Sequence, residues 1–315
     1  MKTVEFKNGD KIDLIGLGTW KSEKGKVEEA VYTALKSGYT HIDCALVYGN
    51  EKEVGNALTK ALNEGIITRE ELWVTSKLWN NAHRKEDVIP ALKQTLEDLK
   101  LDYLDLYLMH WPVAFKSGLE GFPEKDEDFL SLDEVPLNET WNAMLAAKAQ
   151  GFVNHVGVSN FSAKKLQGLI NETDDIPEMN QVELHPLLQQ DDLVEFCHSH
   201  NIHLTAYSPL GSGDRSADMK AENEPNMLEN STINSIAKKH DVSSAQVLIA
   251  FHLHRNTAVI PKSTNPGRIK ENLESAQVKL DDQDMKDLKS LDKHFRYVNG
   301  KFFENNSKYS NIYDE

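Results

Sequence analysis

The chain is poor in cysteine, in long apolar runs and in positive charge. Two cysteines, Cys44 and Cys197, are too few and too far apart in 315 residues for a disulfide framework. No stretch approaches the roughly 18 uninterrupted apolar residues of a membrane-spanning helix. The opening MKTVEFKNGD puts Glu and Asp where a signal peptide needs an apolar core. Acidic residues outnumber basic ones by 50 to 35, a formal charge of -15. That surplus repels phosphate backbones and anionic headgroups, so neither nucleic acid nor a membrane is expected as a partner. No GxSxG or Walker sequence occurs. Gly16-Leu17-Gly18-Thr19-Trp20 starts like a dinucleotide fingerprint but lacks its third glycine, as does Gly211-Ser212-Gly213; each reads as a tight turn. What remains is an ordinary globular composition, expected to be cytoplasmic and long enough to bury roughly three quarters of its surface.

What is present is rhythm. Val4 to Phe6 alternates, Asn8-Gly9 is a strong two-residue turn signal, and Lys11 to Leu14 alternates back, which predicts a hairpin. Short apolar runs then recur at 15–18, 40–44, 72–76, 104–109, 152–158, 179–183, 203–207 and 258–260. Amphipathic segments lie between them, such as Val27, Ala30, Val31, Ala34 and Leu35, or Val88, Leu92, Leu96 and Leu99. Strand followed by helix, about eight times over, predicts a closed (β/α)8 barrel, a TIM barrel of α/β class, rather than an open doubly wound sheet. With no linker and no break in composition, residues 1–315 read as one domain. Three segments exceed ordinary connections, at 111–135, 210–229 and 295–315. The first two follow predicted strands, and all three read as substrate loops on the C-terminal face; the run Glu124 to Asp128 is also compatible with a disordered acidic loop.

If active residues sit just past strand ends, few positions qualify. Asp43 closes strand two and leads into Tyr48, Lys77 closes strand three, and His110 closes strand four. An aspartate and a lysine in such places are costly to bury singly, so a pair is expected. A cation beside Tyr48 would favour its phenolate and lower its pKa from about 10, and His110 could orient a carbonyl by hydrogen bonding. Topology by itself does not name the reaction. Trp20, Trp79 and Trp111 stand beside these residues and are read as walls of an apolar pocket. Cys197, His198, His200 and His203 would diverge around a helix end, so no metal site is expected. His252 and His254 point to opposite sides of a helix as surface or packing residues.

These residues carry a resemblance. Gly38-Tyr39-Thr40-His41-Ile42-Asp43-Cys44-Ala45, continuing through Tyr48-Gly49-Asn50-Glu51 to Gly55, resembles the first signature of the aldo-keto reductases. Gly157-Val158-Ser159-Asn160-Phe161 resembles the second, and Ile260-Pro261-Lys262-Ser263-Thr264 with Arg268 the third. Gly18-Thr19-Trp20, Ser76 to Trp79 and His110-Trp111-Pro112 fit in the expected order. Thr40 and Asn154 depart from the pattern, which puts strand-end salt bridges in doubt but not the chemistry. The resemblance implies the same barrel, with the hairpin capping its bottom. It implies a general-acid role for Tyr48, tuning by Lys77 and Asp43, and orientation of the carbonyl by His110.

It also implies NADPH lying across the rim. Gly18, Thr19, Trp20 and Asp43 fall along that path. Ser159, Asn160 and Gln181 match the carboxamide contacts, and Tyr207 the ring that stacks on nicotinamide. Ser208, Leu210 and Ser212 match the loop over the pyrophosphate. Lys262, Ser263, Thr264 and Arg268 match the 2′-phosphate site, and Glu271 and Asn272 the adenine contacts. Val47 joins Trp20, Tyr48, Trp79, His110 and Trp111 as expected substrate contacts. The implied activity is NADPH-dependent reduction of aldehydes, with ketones or open-chain sugars also in range, by a monomer of the aldehyde reductase or NADP-dependent alcohol dehydrogenase branch. Two alternatives stand: a cofactor-binding sensor or subunit with negligible turnover, and a Schiff-base aldolase using Lys77 or Lys262.

Overall fold

The computed structural model describes residues 2–173 and 175–315. Eight parallel strands form one sheet: Leu17–Gly18, His41–Asp43, Trp73–Leu78, Leu104–Met109, Val153–Ser159, Met179–Glu183, His203–Tyr207 and Ala258–Val259. First and last meet, because the Gly16 amide donates to the Val259 carbonyl at 2.9 Å and the Val259 amide to the Leu14 carbonyl at 2.7 Å. The sheet is therefore the expected closed barrel. Its strands are buried on both faces, as parallel strands under crossover helices must be. The helices pack outside by the predicted stripes. In Glu51–Asn63, for example, Val54, Ala57, Leu58 and Ala61 are buried, at the spacing of one helical face.

Two turn readings are corrected. Gly16-Leu17-Gly18 is no tight turn but the entry to the first barrel strand. A Cβ on Gly16 would lie 2.5 Å from the His41 ring, and one on Gly18 would lie 2.7 Å from the Ile260 carbonyl oxygen. Both glycines answer close approach, not a reversal of the chain. The N-terminal hairpin pairs Thr3–Glu5 with Lys11–Asp13, but its loop is not the two-residue turn. The Phe6 amide bonds the Asp10 carbonyl at 2.8 Å, which leaves Lys7, Asn8 and Gly9 as a three-residue loop with Gly9 at φ +94°. The hairpin covers the barrel bottom. Phe6 stacks on Trp73 with ring centroids 5.1 Å apart, and Asp10 bonds buried His155 at 2.9 Å.

The long segments are more ordered than their composition suggests. Within 111–135, Ala114–Phe115 pairs with Phe129–Leu130, and Asp126 accepts from the Ser307 hydroxyl at 2.8 Å. The acidic run is thus held by the tail, contrary to the disordered alternative. Thr40 replaces the doubtful salt bridge with a hydroxyl bond to Asp13, while Asn154 is exposed. His252 is buried and His254 exposed, on opposite sides as expected. Among the described residues no helix is long and apolar enough to cross a membrane.

One packing test separates helix propensity from close approach. A Cβ on Gly55 would sit 2.4 Å from the Asp98 carbonyl oxygen, a backbone atom that cannot swing aside. Gly55→Ala should therefore destabilise by about 1–3 kcal/mol despite alanine's better helix propensity. At Gly168, also helical, a Cβ meets nothing within 4 Å, and Gly168→Ala should stabilise by about 0.5–1 kcal/mol. Urea unfolding of both variants reads the contrast, and equal shifts would refute the packing argument.

Candidate active site

At the C-terminal ends of the strands lies a cavity of about 1020 Å³. Asp43 closes the second strand and Lys77 lies inside the third, which runs two residues further than its apolar pattern predicts. The Lys77 ammonium donates to Asp43 Oδ1 at 2.6 Å and to the Cys44 carbonyl at 2.7 Å, with both side chains almost wholly out of solvent. Asp43 Oδ2 accepts from Gln181 Nε2 at 2.7 Å, and the Asp43 carbonyl accepts from Thr19 Oγ1 at 2.8 Å. Each carboxylate oxygen thus has a donor, which makes burial of this ion pair tolerable. Tyr48 ends the short turn Leu46–Tyr48, and its ring centroid lies 5.1 Å from Lys77 Nζ.

The expected pKa of Tyr48 is corrected here. Burial pushes its phenol up to about 12, and the Lys77 ammonium, which acts downward as expected, does not outweigh it. Desolvation acts on the whole phenolate charge, whereas Lys77 already spends its field on Asp43. Tyr48 is accordingly a protonated hydroxyl near neutral pH, able to give a proton. Lys77 shows the opposite balance: burial lowers it, but Asp43 and Tyr48 outweigh that and hold it above its ordinary value, so it stays charged. His110, its ring 5.9 Å from that of Tyr48, is held well below its usual range by burial and by Lys77, and is a neutral imidazole. Its backbone carbonyl accepts from Asn160 Nδ2 at 2.9 Å.

The parallel register sets Ser159 beside Gln181. Ser159 donates to the Gln181 carbonyl at 2.7 Å, and the Tyr207 hydroxyl donates to Asn160 Oδ1 at 2.7 Å. That bond fixes the Tyr207 ring as a flat cavity wall. Beyond it the chain from Ser208 crosses the opening. Lys21 donates to Ser212 at 2.7 Å and pairs with Asp214, and Asp214 also pairs with Lys262 at 2.9 Å. This closes a strap between the first and last strands. The cavity takes in all the predicted rim residues except one: Lys77 lies behind Asp43 and Tyr48 and does not line it. Trp20, Trp79 and Trp111 do, as does Val47, and so do Ser263, Thr264, Arg268, Glu271 and Asn272 at the far end. Sequence reasoning missed Lys21, Val298 and Phe302 as wall residues and Asp214 as the bridge. Lys21 lies one residue past Trp20, and Asp214, Val298 and Phe302 fall within the long segments 210–229 and 295–315, but nothing in the sequence singled these residues out.

The donor set fits a nicotinamide dinucleotide phosphate. A flat aromatic wall and two amide side chains, Asn160 and Gln181, occupy the middle of the cavity. The cations Lys21, Lys262 and Arg268 gather at one end of it in a chain of charge -15.

Close behind Tyr48 sits buried Glu51, which accepts from Ser76 at 2.6 Å and whose second oxygen has no partner. Burial pushes its carboxyl up to about 7, against the pull of Ser76. A carboxyl raised in the fold binds more protons folded than unfolded, so stability falls as pH rises from about 4.5 to about 7 and is level above. The loss attributable to Glu51 is about 3 kcal/mol. Unfolding midpoints at pH 5 and pH 8 should differ less in Glu51→Gln than in the parent, and equal differences would remove Glu51 as the cause.

A (β/α)8 barrel thus brings a protonated tyrosine and a neutral histidine to its cavity, with an ion-paired lysine behind the tyrosine. The chain belongs to the Aldo/keto reductase family, whose profile matches residues 14–293. It is 50% identical over 303 residues to "Aldo/keto reductase slr0942" of Synechocystis sp., covering 96% of this chain and 92% of that protein. It is 45% identical over 297 residues to "Aldo-keto reductase family 1 member A1" of Mus musculus, covering 94% and 91%. The Homo sapiens protein of that name is 45% identical over 296 residues, covering 94% and 90%. Carbonyl reduction by an oxidoreductase follows from that membership, and members of the family generally use NADP(H).

Proposed function

We propose that this protein reduces aldehydes to alcohols with NADPH, ketones and open-chain sugars being further substrates of the same site. The observation that carries the reading is the convergence of Tyr48, Lys77, Asp43 and His110 at one cavity whose far end is cationic. NADPH, when bound, supplies the hydride. Tyr48 gives its proton to the carbonyl oxygen, and neutral His110 donates a hydrogen bond that orients the carbonyl. Lys77, held charged by Asp43, stabilises the phenolate left behind. Ser159, Asn160 and Gln181 would hold the carboxamide, Tyr207 would stack on the nicotinamide, and the strap carrying Ser208, Leu210 and Ser212 would cover the pyrophosphate. Lys262, Ser263, Thr264 and Arg268 would take the 2′-phosphate, with Glu271 and Asn272 at the adenine. Residues 1–315 are read as one domain acting as a cytosolic monomer, which sedimentation and cell fractionation test.

A screen of NADPH consumption over aliphatic, aromatic, uronate and aldose carbonyls tests the activity. No turnover with any of them would leave the sensor reading in its place. The aldolase alternative finds little support, since Lys77 is fully buried in its ion pair and Lys262 is paired with Asp214.

Cofactor preference gives a separate check. Arg268 is exposed at the start of helix Pro266–Glu274. Hydrogen bonds to charged groups contribute about 1.5–3 kcal/mol each, and exposure and salt move that towards the lower end. Arg268→Ala should weaken NADPH binding about 10-fold and leave NADH nearly unaffected, by fluorescence titration at low salt. Equal weakening of both would remove the phosphate from this end of the cavity.

A further inference from the structure

Glu183 ends the sixth barrel strand, two residues past Gln181, yet does not line the cavity. Its side chain is wholly buried. Oε1 accepts from the Tyr297 amide at 2.6 Å and from His185 Nε2 at 2.9 Å, and Oε2 accepts from the Val298 amide at 2.7 Å. A carboxylate taken out of water is tolerated only when donors fill its lone pairs. Here two of the donors are consecutive backbone amides of the C-terminal tail, more than a hundred residues away. Burial works against the charge, but His185, Arg296 and the Tyr297 amide outweigh it and hold the carboxyl below its usual range.

The held turn leads directly into the cavity. Val298 and Phe302 line it, and the Phe302 ring lies 5.8 Å from Trp111 and 5.9 Å from Phe122. The tail also closes on itself: Arg296 lies 3.8 Å over the Tyr313 ring, and the Tyr313 hydroxyl donates to the Val298 carbonyl at 2.9 Å. Tyr297 reaches the other way. Its hydroxyl donates to the Pro225 carbonyl at 2.6 Å, its carbonyl accepts from Arg215, and Arg215 is buried among the carbonyls of the strap.

We propose that Glu183 is a positioning residue for substrate selection: it holds the Tyr297–Val298 turn so that Val298 and Phe302 form the apolar wall against bulky aldehydes, and Tyr297 ties that wall to the strap over the cofactor end. The inference rests on the aldehyde-reductase reading above and names the determinant of its selectivity. A charged acceptor shared by two adjacent amides fixes the turn's position and orientation together, which one neutral hydrogen bond does not.

The experiment compares wild type and Glu183→Gln with benzaldehyde and with glyceraldehyde under saturating NADPH. Glutamine keeps the volume but offers only one acceptor, so one tail amide loses its partner. KM for benzaldehyde should rise roughly 10-fold, consistent with loss of a charge-assisted bond. KM for glyceraldehyde and kcat for both should change less than about 2-fold, and amide exchange at Tyr297 and Val298 should quicken. Tyr297→Phe keeps both amides on Glu183 and cuts the bond to Pro225. It should raise the NADPH dissociation constant roughly 2- to 10-fold with benzaldehyde KM unchanged. Equal KM changes for the two aldehydes, or lost stability without a KM split, would make Glu183 merely structural and overturn the proposal. If Glu183→Gln does not fold, Glu183→Asp, charged but too short to reach both amides, is read the same way. Failure of both to fold equally overturns it. Absence of turnover by the wild type with any carbonyl would instead fail the activity reading, and amide exchange would still report on the turn.

Discussion

Tyr48→Phe should abolish carbonyl reduction while leaving NADPH affinity nearly unchanged. The phenol faces the cavity within the field of a buried ammonium, at 5.1 Å from Lys77 to the ring centroid. With its pKa pushed up to about 12 it is protonated at neutral pH and available as the acid. General-acid catalysis is worth about 10² to 10⁴ in rate. The loss should therefore fall in kcat with a slow aldehyde, where chemistry limits. Cofactor affinity should persist, because the cations and amides assigned to the cofactor stand on other strands and loops. Retention of more than half of wild-type kcat would end the assignment. Fluorescence titration with NADPH tells a lost acid from a lost cofactor site.

Lys77→Met should cost both turnover and stability. Removing the ammonium leaves the buried Asp43 carboxylate with Gln181 as its side-chain donor but no counter-charge. Breaking a buried pair from one side typically costs about 3–5 kcal/mol, and the urea midpoint should fall accordingly. In turnover, the Lys77 cation that acts to lower the Tyr48 phenol is gone, so the pKa of that phenol moves further up. Proton donation becomes harder, and any alkaline limb of the kcat/KM profile shifts to higher pH. Wild-type activity with an unshifted profile would break the chain from Asp43 through Lys77 to Tyr48. Loss of stability with full activity would leave the pair as a strut of the barrel.

The sequence by itself determined the barrel and the identity of the rim residues. Strand and helix announce themselves through apolar spacing over a few neighbouring positions, and the eight runs and their helices followed that local rule. Asp43, Lys77 and His110 were legible because a parallel strand delivers its last residues to one face, so a charged or polar residue closing an apolar run is conspicuous. Tyr48 was placed on that rim too, a few residues past Asp43, whereas carbonyl reduction and the residues proposed for the cofactor came only from the resemblance of the motifs to known reductases.

What the tertiary structure alone decided depends on contacts between distant parts of the chain. The three-residue hairpin loop turned on whether Phe6 pairs with Asp10, which local turn preference does not settle. The pKa of Tyr48 moved up rather than down because desolvation is set by everything packed around the ring, while the sequence shows only the nearest charge. The strap from Lys21 through Asp214 to Lys262 joins loops from opposite ends of the chain. No periodicity predicts such a meeting. Glu183 reads in the sequence as the end of an apolar strand, and its hold on Tyr297 and Val298 exists only once the barrel has closed and the tail has folded across its mouth. A buried carboxylate must find donors wherever the fold brings them, and here they come from the far end of the chain.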